Sequence, residues 1–295
     1  MLKKGTLLRL IDEVSETALA SGSLLPIRTG SEYVDDNGLR FVVRILSSLV
    51  RKDEDRLQRA QEKRGNPFLP HEKDLFVADL GPTHIALLNK FNVMERHLLI
   101  VTREFEDQEN LLTPADFSAL WICMAEYDAV GFYNGGEAAG ASQAHKHLQI
   151  VPLPLAEQGP PVPIQPLVDE IMDAGRITRL RSFRFRHCFA RLELDNSGFP
   201  LHPGEQCYAL YRTMLSELGM SVPRAEEMVR QSGPYCLVVT RQWMLLAPRS
   251  REFYGEVSVN SLGFAGCLLV RKPEHLELVK KTGPLELLRS VSVPL

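Results

Sequence analysis

Apolar residues at positions 7, 10, 11, 14 and 18 (Leu7, Leu10, Ile11, Val14, Ala18) recur at the spacing of one helix face, and Gly22 supplies a stop. The period then changes. Leu39, Phe41, Val43 and Ile45 alternate with other residues, which predicts a half-buried strand. After the punctuation Asn66-Pro67-Phe68-Leu69-Pro70, three short apolar runs predict further strands: Leu75 to Leu80, His84 to Leu88 and His97 to Val101. A helix follows with a well-marked start. Thr113 is placed to be the N-cap, Pro114 the first helical residue and Asp116 the reciprocal capping partner, ahead of an apolar stripe of Phe117, Leu120, Trp121 and Met124. Val130 to Tyr133 leads into a glycine-rich loop from Asn134 to Ser142, and a strand is predicted from Ala144 to Val151.

Prolines at 152, 154, 160, 161 and 163 end that strand and read as a stiff linker, which suggests a catalytic part over residues 1–160 and a second part over 161–295. In the second part, Leu167, Val168, Ile171 and Met172 mark a helix that Gly175 ends, and Phe183 to Leu194 reads as a strand pair. Cys207, Leu210, Tyr211, Met214 and Leu218 mark another helix. Tyr235 to Thr240 and Trp243 to Leu246 read as strands, with Trp243 and Met244 as core rather than an adenine-stacking surface. The end is helical around Leu276, Val279, Leu285 and Leu288. Leu99-Ile100-Val101-Thr102-Arg103 echoes Leu237-Val238-Val239-Thr240-Arg241, by chance or by duplication of a half-barrel. Strands and helices are mixed without regular β-α-β alternation, which favours an α+β class.

Composition narrows the function. The 295 residues, 44% hydrophobic and 24% charged, make an ordinary globular chain, and a formal net charge of −3 offers no global field to gather nucleic acid. Any anionic substrate must meet locally placed donors. No stretch approaches the roughly 20 apolar residues of a membrane span, and Glu13 and Glu16 interrupt any signal-peptide core, so a cytoplasmic protein is expected. Its five cysteines are dispersed with no C-x-x-C pair, which disfavours both a disulfide framework and a four-cysteine zinc site. The charged run from Arg51 to Arg64 reads as a solvated face whose leading Arg51-Lys52 can alternatively reach a polyphosphate.

The chemistry is concentrated between Asn134 and Val151. On a strand, alternate side chains share a face, so His145, His147 and Gln149 point one way and Leu148 and Ile150 enter the core. Gly135, Gly136 and Gly140 let backbone N–H groups converge on an anion, and Ser142 adds a hydroxyl. A neutral imidazole suits attack on phosphorus, and the resulting P–N bond is labile to a second acceptor. Gln149 can donate hydrogen bonds but no proton. A lone His-x-His is also compatible with a structural role. As a metal site it supplies two ligands where zinc usually takes three or four, and a cupin-like carboxylate is missing before Glu157.

Ser142-Gln143-Ala144-His145-Lys146-His147-Leu148-Gln149 resembles the His-x-His-x-Gln motif of the ATP adenylyltransferases, the diadenosine tetraphosphate phosphorylases, within the histidine-triad-like superfamily. Asn66-Pro67-Phe68, Asn89-Lys90-Phe91, Val101 to Phe105, Leu112-Thr113-Pro114, Thr240 to Met244 and Ser258 to Gly266 extend the resemblance over residues 40 to 272. The resemblance implies a histidine-triad-like fold, a mixed antiparallel sheet with flanking helices. It implies that His147 attacks the α-phosphorus of diadenosine tetraphosphate and holds AMP, that phosphate then releases ADP, and that ATP is the other product. His145 would orient the nucleophile, and Gln149 would hold phosphoryl oxygens. Asn134, Gly140, Ala141, Ser142 and Gln143 match phosphate-binding positions, and Lys52, Asn89 and Lys90 match nucleotide or phosphate positions. Asn260, Ser261 and Leu262 match a substrate-binding turn. Arg271 stands where the family pattern has lysine and Cys267 where it has methionine. A divalent ion, magnesium, is expected to accompany the polyphosphate, held by substrate oxygens and water rather than a protein cage. The rival readings are a related enzyme of nucleotide sugars, a nucleotide-sugar phosphorylase or hexose-phosphate uridylyltransferase, using the same covalent histidine, and a nucleotide-binding regulatory module without turnover.

Overall fold

The computed structural model describes residues 2–46, 65–172, 175–221 and 230–295; Lys52 and the rest of the Arg51 to Arg64 run lie outside the described residues. The first helix, Leu7–Ser21, buries Leu7, Ile11 and Ala18 and stops at Gly22, whose left-handed backbone returns its N–H to the Leu19 carbonyl. Strands β1 (Thr29–Asp36) and β2 (Leu39–Leu46) then pair antiparallel around Asn37-Gly38. Both turn residues have positive φ, 46° and 81°. Asn-Gly tolerates that conformation, and its twist matches the flanking strands. The alternation in β2 does not reveal this hairpin; the Asn-Gly pair is its local signal.

Strands β3 (Phe76–Asp79), β4 (His84–Leu88) and β5 (Leu98–Thr102) follow as expected. The helix Pro114–Met124 carries the full capping box, with Thr113 Oγ1 accepting from Asp116 N–H and Asp116 accepting from Thr113 N–H. Strand β6 (Ala129–Gly135) enters the glycine loop, and β7 (His147–Pro152) leaves it. β7 begins three residues later than the periodicity predicts, because residues 141–144 form the end of the loop.

In the second half, the helix predicted up to Gly175 is only Gln165–Asp169. The strand pair forms between β8 (Ile177–Thr178) and β9 (Cys188–Arg191), with residues 183–187 outside both strands. The helix Leu201–Glu217 packs on Pro114–Met124, where Gly204 admits the Ser118 backbone. Strands β10 (Tyr235–Val239) and β11 (Trp243–Pro248) lie where expected, followed by the small pair β12 (Phe253–Tyr254) and β13 (Val257–Ser258). The short helix Ser261–Phe264, strand β14 (Cys267–Val270) and helices Pro273–Thr282 and Pro284–Val291 complete the chain.

The main sheet has nine strands in the order β3-β4-β5-β7-β6-β10-β11-β9-β8, every pair antiparallel. It continues across residue 160, since β10 from the second half pairs with β6 from the first. A second sheet, β1-β2-β14, joins the hairpin to the C-terminal segment through a parallel pair. Each face of the main sheet carries an apolar core. One holds Leu148, Ile150, Phe117, Trp121, Tyr211 and Met244; the other holds Phe132, Val151, Trp243, Phe264 and Leu287. Trp243 and Met244 are core residues, fully buried on opposite faces. Among the described residues no helix is long and apolar enough to cross a membrane.

Candidate active site

β7 lies inside the main sheet between β5 and β6, so its side chains are held by paired strands on both sides. Val101 of β5 opposes His147 and Leu99 opposes Gln149, while Phe132 of β6 opposes Gln149 from the other side. The alternation places His147 and Gln149 on the wall of a cavity of about 1010 Å³, which opens between the main sheet and the C-terminal segment. Asn89, Lys90, Asn134, Gly140, Ser142, Gln143, Asn260, Leu262, Cys267 and Arg271 line the same cavity. Residues far apart in sequence are thereby brought to one site.

His147 is buried, and its Nδ1 lies 2.8 Å from the carbonyl of His145, two residues earlier. A carbonyl can only accept, so Nδ1 carries the proton and Nε2 keeps its lone pair. The backbone on both sides is pinned by Gln108, whose Oε1 accepts from His147 N–H at 2.8 Å and whose Nε2 donates to the Asn134 carbonyl at 2.9 Å. Phe68 lies against the rings of both His145 and His147, with centroids 5.5 and 5.3 Å away. Burial among these groups holds the His147 imidazole down to about 4, despite the opposing hydrogen bond to the His145 carbonyl. At neutral pH the ring is an uncharged base with one nitrogen available.

His145 stands behind His147 and does not line the cavity. Its Nε2 faces the carbonyls of Thr102 at 2.9 Å and Glu104 at 3.1 Å, and its Nδ1 lies 2.9 Å from the Asn66 amide nitrogen. Burial pushes its basicity down as well. With its side chain fully engaged, it acts on His147 through its backbone carbonyl. Lys146, between the two histidines, points to the opposite face. Its ammonium is buried on Asp116 at 2.7 Å and Glu106 at 3.1 Å. Burial opposes the Asp116 charge, but Lys146 and His84 overcome it and keep the carboxyl well below its usual range. The capping residue of the Pro114–Met124 helix thus also anchors the start of β7.

The glycine loop departs from expectation. The N–H groups of Gly136, Ala139, Gly140 and Ala141 are already committed to Asn134, Gly136 and Glu137 carbonyls inside a short 3₁₀ turn. They cannot also converge on an anion. The N–H groups of Ser142 and Gln143 take no partner among the described residues, which moves the available donors to the end of the loop. Gly140 serves another purpose: a Cβ there would lie 3.0 Å from the Asn260 Cβ and 3.1 Å from the Val259 carbonyl, and its φ is +89°. It lets the loop and the C-terminal turn touch.

That contact is secured by hydrogen bonds. Asn134 Oδ1 accepts from Ser261 N–H at 2.9 Å, Ser261 Oγ donates to the Tyr133 carbonyl at 2.7 Å, and Asn260 Oδ1 caps the short helix through Leu262 N–H at 3.0 Å. Ser261 is fully buried, and it and Ala141 do not line the cavity. Arg249, unremarked in the sequence, is a buried cation whose guanidinium donates to the carbonyls of Val259, Arg251 and Val291 and lies over the Phe264 ring. It holds the turn that presents Asn260.

On the far wall Lys90 is paired with Glu72 at 2.6 Å, and Arg271 is exposed at the rim. Cys267 is buried, and burial raises its thiol's pKa against the influence of nearby Arg44. In the sequence His97 stands out only as the first residue of a strand. In the structure it lines the cavity and lies 2.9 Å from Gln149 Oε1. The signal for such a residue is the repeated Asn-x-Phe pattern at 66–68 and 89–91, where each asparagine meets a histidine ring.

The chain's overall fold is that of yeast Ap4A phosphorylase Apa2, with a TM-score of 0.79 at 24% identity covering 100% of this chain and 99% of that one. The structure of Apa2 in complex with AMP matches with a TM-score of 0.77 at 25% identity, covering 100% and 98%. In sequence, diadenosine 5',5'''-P1,P4-tetraphosphate phosphorylase 2 of Saccharomyces cerevisiae is 28% identical over 244 residues, 76% of this chain and 74% of that protein. The Protein APA1 of the same yeast is 26% identical over 290 residues, 90% and 87% of the two chains. Residues 1–170 match the Ap4A phosphorylase N-terminal domain and residues 181–294 the ATP adenylyltransferase C-terminal domain, so the chain belongs to the Ap4A phosphorylase family of ATP adenylyltransferases.

Proposed function

We propose that the chain splits diadenosine tetraphosphate with phosphate into ATP and ADP, and runs the reverse reaction, by carrying AMP on His147. The observation that bears most weight is the 2.8 Å contact of His147 Nδ1 with the His145 carbonyl, which puts the proton on Nδ1 and leaves Nε2 a lone pair at the wall of the cavity. Nε2 attacks the α-phosphorus, the P–N bond forms, and the bond to the bridging oxygen breaks with its electron pair leaving on ATP. The ring then carries a positive charge, which the His145 carbonyl dipole stabilises at Nδ1. Gln149 supplies N–H donors to the phosphoryl oxygens, as do the Ser142 and Gln143 amides. Phosphate next attacks the adenylyl-histidine, the P–N bond breaks, and ADP leaves with the imidazole restored.

Gln149 cannot give a proton, which suits a leaving group such as ATP that departs as a weak base. Phosphate is itself an oxyanion and needs little general-base help, whereas water needs more. Turnover is therefore expected to require phosphate and to yield ATP and ADP in equal amounts. Without phosphate the enzyme should stop after one turnover, as adenylyl-enzyme plus ATP. Rapid phosphate-free formation of AMP with ATP, or of two ADP, would show hydrolysis and overturn the proposal.

Magnesium is part of the same reading. The ion would accompany the substrate, held by polyphosphate oxygens and water. A reducing, cytoplasmic setting fits five cysteines that are all free and buried.

A further inference from the structure

Gln149 has two chemically different ends, and only one is useful to a phosphoryl group. Its NH2 donates, while its carbonyl oxygen would repel an anion. Something must decide which end faces the cavity. The groups that decide it lie on the loop between β4 and β5, at Asn89 and His97.

Phe91 N–H lies 3.2 Å from Asn89 Oδ1, which fixes the asparagine amide, because a flip would set donor against donor. The Asn89 NH2 therefore faces His97 Nδ1, at 3.2 Å, and Nδ1 must accept. The imidazole proton is then on Nε2, which lies 2.9 Å from Gln149 Oε1 and donates to it. Gln149 cannot turn over without placing its NH2 against Nε2–H. We infer that Asn89 and His97 form a positioning relay that locks Gln149 with its carbonyl on the protein and its NH2 toward the substrate phosphate.

The same device occurs a second time. Phe68 N–H lies 3.0 Å from Asn66 Oδ1, and the Asn66 NH2 lies 2.9 Å from His145 Nδ1. His145 is thereby an Nε2–H tautomer bonded to the Thr102 and Glu104 carbonyls, and its own carbonyl fixes His147. One Asn-x-Phe turn sets the nucleophile and the other sets the donor. His97 is buried and stays neutral, because burial holds its imidazole down to about 4 against the raising effect of the Gln149 bond. The relay therefore keeps its polarity at neutral pH.

The inference rests on the proposed reaction for its kinetic consequence but not for its geometry, and the tests separate the two. In the resting protein labelled with ¹⁵N-histidine, long-range ¹H–¹⁵N spectra at pH 7 should show His97 as the Nε2–H tautomer; an Nδ1–H tautomer would overturn the relay whatever the enzyme does. In single-turnover adenylyl transfer from diadenosine tetraphosphate, His97→Phe should lower the rate constant about 10- to 100-fold, below the roughly 10²- to 10³-fold typical of losing an oxyanion donor outright, with KM changed less than about threefold. In a Gln149→Ala background the same substitution should add less than about twofold, because the residue through which it acts is gone. Independent, multiplicative losses in both backgrounds would refute the relay while leaving the covalent mechanism intact. Absence of adenylyl transfer in the wild-type protein would refute the mechanism instead.

Discussion

The burial of His147 makes a prediction about pH that an ordinary imidazole nucleophile does not share. With its imidazole held at about 4, roughly 90% of His147 is neutral at pH 5. An unperturbed ring near 6.5 would be only about 3% neutral there. Between pH 7.5 and 5, the buried nucleophile should lose about a tenth of its rate, and an unperturbed one about thirtyfold. The substrate does not blur this contrast, because a dinucleoside tetraphosphate has no terminal phosphate monoester to titrate in that range. The assay is formation of adenylyl-enzyme from α-phosphate-labelled substrate in a single turnover without added phosphate, at each pH where the protein is shown to be folded. An acid limb with a midpoint between 6 and 7 would refute the assignment of an already neutral, buried His147 as the group that attacks.

Stability should follow the opposite course. His97, His147 and His187 are each lowered to about 4, in every case chiefly by burial. The unfolded chain takes up protons near 6.5 that the folded chain refuses, so stability is full above about 6.5 and falls as pH drops toward 4, by on the order of 2 kcal/mol for each group at pH 4.5. Urea unfolding at pH 7 and 4.5 would show this, and equal midpoints would contradict it. Gly140→Ala should cost about 1–3 kcal/mol and lower Tm by several degrees, because its Cβ meets the Asn260 turn at positive φ. Gly159→Ala, with φ +90° and nothing within 4 Å, carries the backbone strain alone and should cost less; equal losses would deny the contact. Lys146→Met should destabilise by about 3–5 kcal/mol by stranding buried Asp116, and a loss under about 1 kcal/mol would show the pair is dispensable.

Local pattern was enough for several elements. The capping box at Thr113 and Asp116, the stop at Gly22 and the alternation of His147, Leu148, Gln149 and Ile150 all depend on residues within a few positions of one another, and all stand in the structure. Such features are written in neighbouring side chains, because capping and strand alternation are set by backbone geometry over one or two turns. The glycine loop was legible as a loop, but its purpose was not. Which amides remain available is settled by a 3₁₀ turn inside the loop itself, whereas the approach of Gly140 to Asn260 depends on chain more than a hundred residues away.

The tautomer of His145 and the pairing of His97 with Gln149 belong to the tertiary structure. His97 and Gln149 are 52 residues apart and meet only because β5 pairs with β7 in a register that sets Leu99 opposite Gln149. Lys146 and Arg249 are buried, which nothing in their neighbouring sequence announces. Their burial follows from carboxylates and carbonyls that the fold brings to them. Periodicity tells which face of a strand a side chain takes; long-range register and packing decide what it meets there, and for imidazole and amide groups that partner decides the chemistry.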